Sequence, residues 1–262
     1  MANAFSYYLC SIFTLMKGVK NFSALIKLVT REPEDNPIEL DLGTNGRYCV
    51  STLMDAWILK ETILDRQYEK VSVPLEKNWT VIDIGAALGD YAVWAAKQVP
   101  DGVVYAVEPF PQSVKIIQKN LELNLIGNVV VCEKAVGGQD GLSGLQLVTG
   151  QAVQHSTAAL SGAEGSLAVN ISSLRTLLNE NNIAHCDYLK LDCEGAEFDI
   201  LFKCPKDVLS RIQRICMEVH DRVTFYSRED MVRFLEENGY KTRLTPNPVH
   251  KELAYLYAER AD

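Results

Sequence analysis

Apolar residues recur at helical spacing through Phe5, Tyr8, Ile12, Leu15, Val19, Phe22, Ile26 and Val29, which predicts amphipathic helix over most of the first thirty residues. A polar, proline-bearing break follows at 32–37. The period then falls to two: Ile38-Glu-Leu-Asp-Leu42 alternates, Thr44-Asn45-Gly46 offers a turn, and Arg47-Tyr-Cys-Val-Ser51 continues, the pattern of a β-hairpin. Residues 53–68 read as one amphipathic helix. From Trp79 onward strand and helix alternate, with strands near 79–84, 103–107, 128–133, 188–192 and 212–219 and helices near 89–98, 111–124, 172–181 and 228–238. Residues 137–171 are rich in Gly and Ser and hold short β-like runs such as Leu145-Gln-Leu-Val148. Two closing runs, 240–244 and 253–258, meet through Pro246-Asn-Pro248 and should place an antiparallel strand in an otherwise parallel sheet. The pattern predicts an α/β fold in which residues 1–78 form a cap or lid of helix, β-hairpin and helix, beside a Rossmann-like sheet over 79–262.

Composition narrows the reading. The hydrophobic share of 47% supplies a core for 262 residues. A net charge of −8, from 26 basic and 34 acidic side chains, argues against a nucleic-acid partner. The cysteines (Cys10, Cys49, Cys132, Cys186, Cys193, Cys204 and Cys216) form no C-x-x-C pair, so neither a zinc site nor a redox motif is signalled, and a reduced, cytoplasmic protein is expected. The apolar run at 2–16 lacks a basic leader and is too short to span a bilayer before Lys17 and Lys20. Lys17, Lys20, Lys27 and Arg31 are unopposed by any acid up to Arg31. Such a segment packs on the domain, packs on a second copy in a homodimer, or rests peripherally on anionic lipid.

The richest chemistry lies in Val81-Ile-Asp-Ile-Gly-Ala-Ala-Leu-Gly89, an apolar strand that turns through Gly85 and Gly89 into a helix. This is the first unit of a nucleotide-binding sheet. The next strand ends in Glu108, close to the roughly 20 residues expected between a glycine loop and an acid that accepts from ribose hydroxyls. The middle glycine of the dinucleotide fingerprint is missing, and Asp83 stands where a phosphate would be repelled. A ligand with a ribose and positive charge but no phosphate fits better, and S-adenosylmethionine has those features. Asp192, Glu194, Glu218, His220 and Asp221 should gather at the same sheet edge, beyond the carboxyl ends of the strands. Glu197 is read equally as a helix-terminus acid. His155, beside Ser156 and Thr157, falls in a predicted loop, and His185 and His250 read as surface residues.

These motifs resemble the FkbM family of S-adenosylmethionine-dependent methyltransferases. The resemblance is carried by 81–90, by Val104-Tyr-Ala-Val-Glu-Pro-Phe-Pro111, Asn120-Leu-Glu-Leu-Asn124 and Ala135-Val-Gly137, and by Lys190-Leu-Asp-Cys-Glu-Gly-Ala-Glu197 and Glu218-Val-His220. It implies a seven-stranded methyltransferase sheet and O-methylation of a hydroxyl on a sugar, glycan or secondary metabolite. It also implies Asp83, Gly85 and Gly89 around the methionine part of the cofactor and Glu108 on its ribose. The sequence departs from the family at Ala87 and Ser113, where Asn is common.

The expected cofactor wall is therefore Asp83, Gly85, Ala86, Ala87, Gly89, Tyr91, Glu108, Pro109, Ala135, Val136 and Asp192. The expected catalytic group is His220, Asp192, Glu218 and Glu194, with His220 or Asp192 as the base for the hydroxyl proton. No metal ligand set is assigned; a divalent cation near Asp192 and Glu218 ranks below a direct base. The competing readings are an NAD(P)-dependent oxidoreductase and a catalytically silent binding module on the same fold.

Overall fold

Strands buried on both faces need nearly continuous apolar runs, and the runs after Trp79 supply them. The computed structural model describes residues 4–30, 36–146, 157–158, 166–221 and 223–261. His155 and Ser156 lie outside the described residues, as does most of 147–165.

The first part of the chain holds α1 (Ala4–Gly18), α2 (Phe22–Thr30), β1 (Ile38–Asp41), β2 (Arg47–Val50), α3 (Leu53–Leu59), a π-helical turn Lys60–Leu64, and α4 (Gln67–Val71). There follow β3 (Thr80–Ile84), α5 (Asp90–Gln98), β4 (Val103–Val107), α6 (Pro111–Leu123), β5 (Val129–Cys132), β6 (Ala135–Gly137), β7 (Gly141–Gln146), β8 (Thr157–Ala158) and β9 (Ser166–Ser173). The remainder is α7 (Leu174–Glu180), β10 (Tyr188–Leu191), α8 (Glu197–Phe202), α9 (Lys206–Leu209), β11 (Arg214–His220), α10 (Arg228–Glu237), β12 (Tyr240–Pro246) and β13 (Leu253–Arg260).

Seven strands form the main sheet in the order β12-β13-β11-β10-β3-β4-β5. β3 pairs in parallel with β4 on one side and β10 on the other, so the order reverses at β3 and opens a crevice beyond its carboxyl end. β13 runs antiparallel between β11 and β12, as the closing hairpin predicted. The Gly/Ser-rich region builds a separate sheet, β6-β9-β7-β8. Its short runs gave little warning of that.

Two expectations about the cap need correction. The helical spacing over 5–29 is divided between α1 and α2, and the apolar face it defines points largely outward: Ile12, Phe13, Ile26 and Val29 are exposed. The single helix over 53–68 is three pieces. Thr52 and Asp55 form a capping box that starts α3, and the π-helical turn then widens the helix where Lys60 is buried against Asp65, Nζ to Oδ2 2.7 Å. The Lys60 ammonium also lies 4.4 Å from the Tyr7 ring centroid and 4.7 Å from that of Trp57. Arg66, left-handed at φ 54°, ends the run before α4.

The cap hairpin is fastened to the sheet domain. Asn120, fully buried on α6, accepts from Cys49 N (2.6 Å) and donates to Leu88 O (2.8 Å). One turn later Asn124 accepts from Arg47 N and donates to Arg47 O. The two asparagines of the 120–124 motif thus tie β2 to α6, and Asn120 also ties in the glycine loop.

Candidate active site

The crevice beyond β3 opens into a cavity of about 700 Å³, within the roughly 300–1,000 Å³ usual for small-molecule sites. Its floor is the sheet edge: Gly85, Ala87, Glu108, Pro109, Ala135, Val136, Asp192, Glu194, Glu218 and His220. The cap contributes Tyr8, Trp57, Glu61 and Tyr68, and the closing hairpin contributes Asn247, His250 and Glu252. His250, expected at the surface, is half-exposed at this rim.

The glycine loop leaves no latitude at its first glycine. Gly85 has φ +79°, and a Cβ there would stand 1.9 Å from the Asp192 carbonyl oxygen. Both Gly85 N and Ala86 N donate to Val107 O at 3.1 Å, so the loop is laced to the end of β4. Ala87 is also left-handed, at φ 49°, a conformation that Asn tolerates better than Ala. That is the physical meaning of the departure at this position.

Glu108 is held in place by the backbone on both of its oxygens. Its Oε1 accepts from Phe110 N (2.9 Å) and its Oε2 from Ala87 N (3.0 Å). Burial pushes its carboxyl up to about 7, against the opposing pull of those two N–H groups. Each oxygen keeps a further lone pair for a ligand hydroxyl.

Asp83, Ala86, Gly89 and Tyr91 stand behind the cavity wall rather than on it. Asp83 is fully buried and faces Lys190, its register partner on β10, with Nζ to Oδ1 2.9 Å. Burial raises the Asp83 carboxyl to about 6, with Lys190 holding it down. For Lys190 burial works the other way, but Asp83, Asp192 and Asp90 outweigh it and keep the ammonium charged. Lys190 also donates to Gly85 O (3.2 Å). The charge of Asp83 is thus spent on anchoring the loop through Lys190, and its carboxylate is not offered to a ligand. Tyr91 packs inward, its ring 6.4 Å from that of Tyr188 and 5.3 Å from that of Tyr68. Gly89 starts α5, and Ala86 is packed under the loop.

The acids of β10 and β11 do converge. The carboxylates of Asp192 and Glu218 and a ring nitrogen of His220 come within 4.8 Å of one another. The Tyr68 hydroxyl donates to Asp192 Oδ2 (2.7 Å). His220 is gripped on both sides: Nδ1 lies 3.3 Å from Glu197 Oε1 and Nε2 3.5 Å from Glu194 Oε2. Burial disfavours the charged ring, but Glu197, Asp192 and Glu194 together raise it to about 10. The three acids thus favour the charged ring, which weighs against His220 as the base. Glu218 is pushed up to about 8 by burial and by Asp192, with His220 opposing.

Three residues complete this arrangement beyond those expected at the site. Lys190 lies in the Lys190–Glu197 motif, and a lysine between Leu189 and Leu191 in a buried strand signals a carboxylate partner. Glu197, at the start of α8, is fully buried and accepts from Cys193 N (2.7 Å) while facing His220. Tyr68 gave no local signal, since it reaches Asp192 only through the fold of the cap.

Comparison with known proteins agrees with this architecture. A family model described as the methyltransferase FkbM domain matches residues 83–242. Methyltransferase sdnD of Sordaria araneosa is 21% identical over 247 residues, covering 82% of this chain and 93% of its own. Methyltransferase 1 of Beauveria bassiana is 23% identical over 184 residues, covering 63% of this chain and 73% of its own. Among solved structures, the fibrillarin pre-rRNA processing protein of Methanococcus jannaschii shares the fold, with a TM-score of 0.50 at 13% identity over 88% of this chain and 96% of that one.

Proposed function

This chain belongs to the FkbM methyltransferase family, and from that premise we propose that its cavity binds S-adenosylmethionine and serves O-methylation of a hydroxyl-bearing small molecule or glycan. The observation that carries the reading is Glu108, a buried carboxylate held in place by two backbone N–H groups at the end of β4, with lone pairs left for two adjacent ribose hydroxyls. Gly85 and Ala87 would flank the same ligand, with Ala135, Val136 and Pro109 as its apolar wall. Asp192, Glu194, Glu218 and Glu61 give the cavity an acidic lining, which suits a cation and disfavours a pyrophosphate.

The cofactor supplies an electrophilic methyl group. The chain's own task is to hold an acceptor oxygen in line with it and to receive the hydroxyl proton. Glu218 is the base we assign. Its carboxyl is tuned to about 8, near the range where a general base works, and a cation bound beside it would favour the carboxylate. His220, held charged by Glu194 and Glu197, acts as a positioning residue that restrains the rise of Glu218. Asp192 is held by Tyr68 at the boundary of both ligands. A second reading, favoured by the convergence of Asp192, Glu218 and His220 within 4.8 Å, puts a divalent cation on the acceptor oxygen, with His220 giving up its proton to become a ligand.

Calorimetric titration with S-adenosylhomocysteine and with NADH tests the assignment. We expect the first to bind and the second to give no heat. Binding of NADH at micromolar level, or no binding of S-adenosylhomocysteine, overturns it. Methyl transfer from labelled S-adenosylmethionine to a panel of hydroxyl acceptors, with and without EDTA, then separates the direct base from the cation.

A further inference from the structure

Helix α1 is turned inside out. At 3.6 residues per turn, Leu9, Ile12, Phe13 and Met16 fall within about 100° of its circumference. All four are exposed, Ile12 at 51% and Phe13 at 53%. The opposite side, which packs on the chain, carries Ser11, only 2% exposed, and Gly18. Gly18 approaches so closely that a Cβ would stand 2.4 Å from Leu64 Cδ1. Tyr7 fixes the inner side polarly, its hydroxyl donating to Glu61 Oε1 (2.8 Å) and accepting from Lys60 Nζ (3.2 Å). Helix α2 repeats the outward display in part. Leu25 and Leu28 are buried, whereas Phe22, Ile26 and Val29 stay exposed, Val29 at 66%.

Exposed apolar side chains gathered on one face of a helix, as on α1, mark a surface that something covers. Charge selects the occupant. Residues 4–30 contain Lys17, Lys20 and Lys27 and no acid, in a chain of net charge −8. A second copy meeting this face about a two-fold axis would bring the same lysines toward one another. Anionic headgroups would pair with them, while Leu9, Phe13, Ile26 and Val29 enter the acyl boundary. None of the described helices is long and apolar enough to cross a membrane. We propose that α1 and α2 are an interfacial anchor that seats the protein on an anionic lipid surface. Tyr8, on α1, also lines the cavity, its ring tilted against that of Trp57 with centroids 5.7 Å apart. The anchored protein would then hold its cavity beside the headgroups.

The test is flotation of the full chain with vesicles of phosphatidylcholine alone and of phosphatidylcholine with about 30% phosphatidylserine, alongside sedimentation velocity without lipid. We expect binding at least tenfold stronger on the anionic vesicles. The exposed pair Ile12→Ser/Phe13→Ser, and separately Lys17→Glu/Lys27→Glu, should each reduce it tenfold or more, with the circular-dichroism melt and S-adenosylhomocysteine binding unchanged. Equal binding to both vesicles, no binding to either, or retention by both variants overturns the proposal. So does a dimer in lipid-free solution that the Ile12→Ser/Phe13→Ser protein no longer forms, because a second copy would then be the occupant.

Discussion

The sheet edge and the N-terminal helix pair both break the rule that apolar side chains go inside and charged ones outside, and they break it in opposite directions. At the sheet edge Asp83, Lys190, Glu197 and His220 are buried. Each has an oppositely charged neighbour, because an unpaired buried charge is too costly to keep. In α1 and α2, Leu9, Phe13, Ile26 and Val29 lie in water, which forgoes a burial gain but strands no charge and requires no partner within the chain. Buried charge must therefore be explained by internal geometry, whereas exposed apolar surface points outward. Perturbing the first should cost stability or chemistry; perturbing the second should cost neither.

The largest effect belongs to the buried pair. Lys190→Ala leaves Asp83 without its cation at 0% exposure, and removing one partner of a buried pair costs about 3–5 kcal/mol. The loss should be greatest at pH 8. It should shrink toward pH 5, where Asp83, already raised to about 6, takes up a proton and becomes neutral. Urea denaturation at both pH values measures it. A loss under about 1 kcal/mol at pH 8 would mean that Asp83, released from Lys190, takes up a proton even there, or that water reaches it.

Chemistry at the same edge comes next. Glu218→Gln should reduce turnover by about 10²–10⁴-fold with S-adenosylhomocysteine affinity little changed. In the wild type the rate should climb with pH through about 8, the Glu218 carboxyl. His220 holds that value down, so His220→Ala should move the climb to higher pH rather than abolish turnover. The opposite result, loss of turnover with no displaced profile, would return His220 to the role of base. The stability linkage has the same sign. A carboxyl raised in the folded state adds stability below its ordinary value near 4.5 and loses it as pH rises through about 8. Wild type should therefore lose melting temperature over that window relative to Glu218→Gln.

Glu108→Ala follows. Loss of two hydrogen bonds to a charged acceptor should weaken S-adenosylhomocysteine by about 2–4 kcal/mol. Affinity of the wild type should rise with pH through about 7, as the carboxyl ionises. An unchanged dissociation constant in the variant would detach Glu108 from the ligand.

What the sequence made legible follows the same division. Gly85, Glu108 and Asp192 were readable because each is fixed by its place at a strand end, a local feature, and the strands themselves are apolar runs. Asp83 was read as facing a ligand because its partner Lys190 lies 107 residues away on a neighbouring strand, and register is not a local property. His220 drew attention by its chemistry, but its charge state is set by Glu194 and Glu197 after a turn with two left-handed residues, Glu194 and Gly195. In the cap the apolar period over 5–29 was visible, and its direction was not. Periodicity defines a face without saying whether that face meets the core or the outside.

The smallest expected effect is the sharpest check on the comparison. Ile26 and Leu28 share α2 and differ by two positions, with exposures of 53% and 6%. Leu28 belongs to the core with Leu25, Leu40 and Leu42, so Leu28→Ala should cost about 2–5 kcal/mol. Ile26→Ala, in a helix that favours alanine, should change stability by no more than about 0.5 kcal/mol. Denaturation should be run without lipid and at low micromolar protein, so that neither a membrane nor a second copy contributes. Equal costs at the two positions would mean that the chain itself covers the outer face, and the two regions would no longer differ in kind. A cost at Ile26 that appears only as protein concentration rises would place a second copy on that face. If the cost stays near zero at every concentration, the exposed side chains do nothing for the fold, and the two regions differ as described.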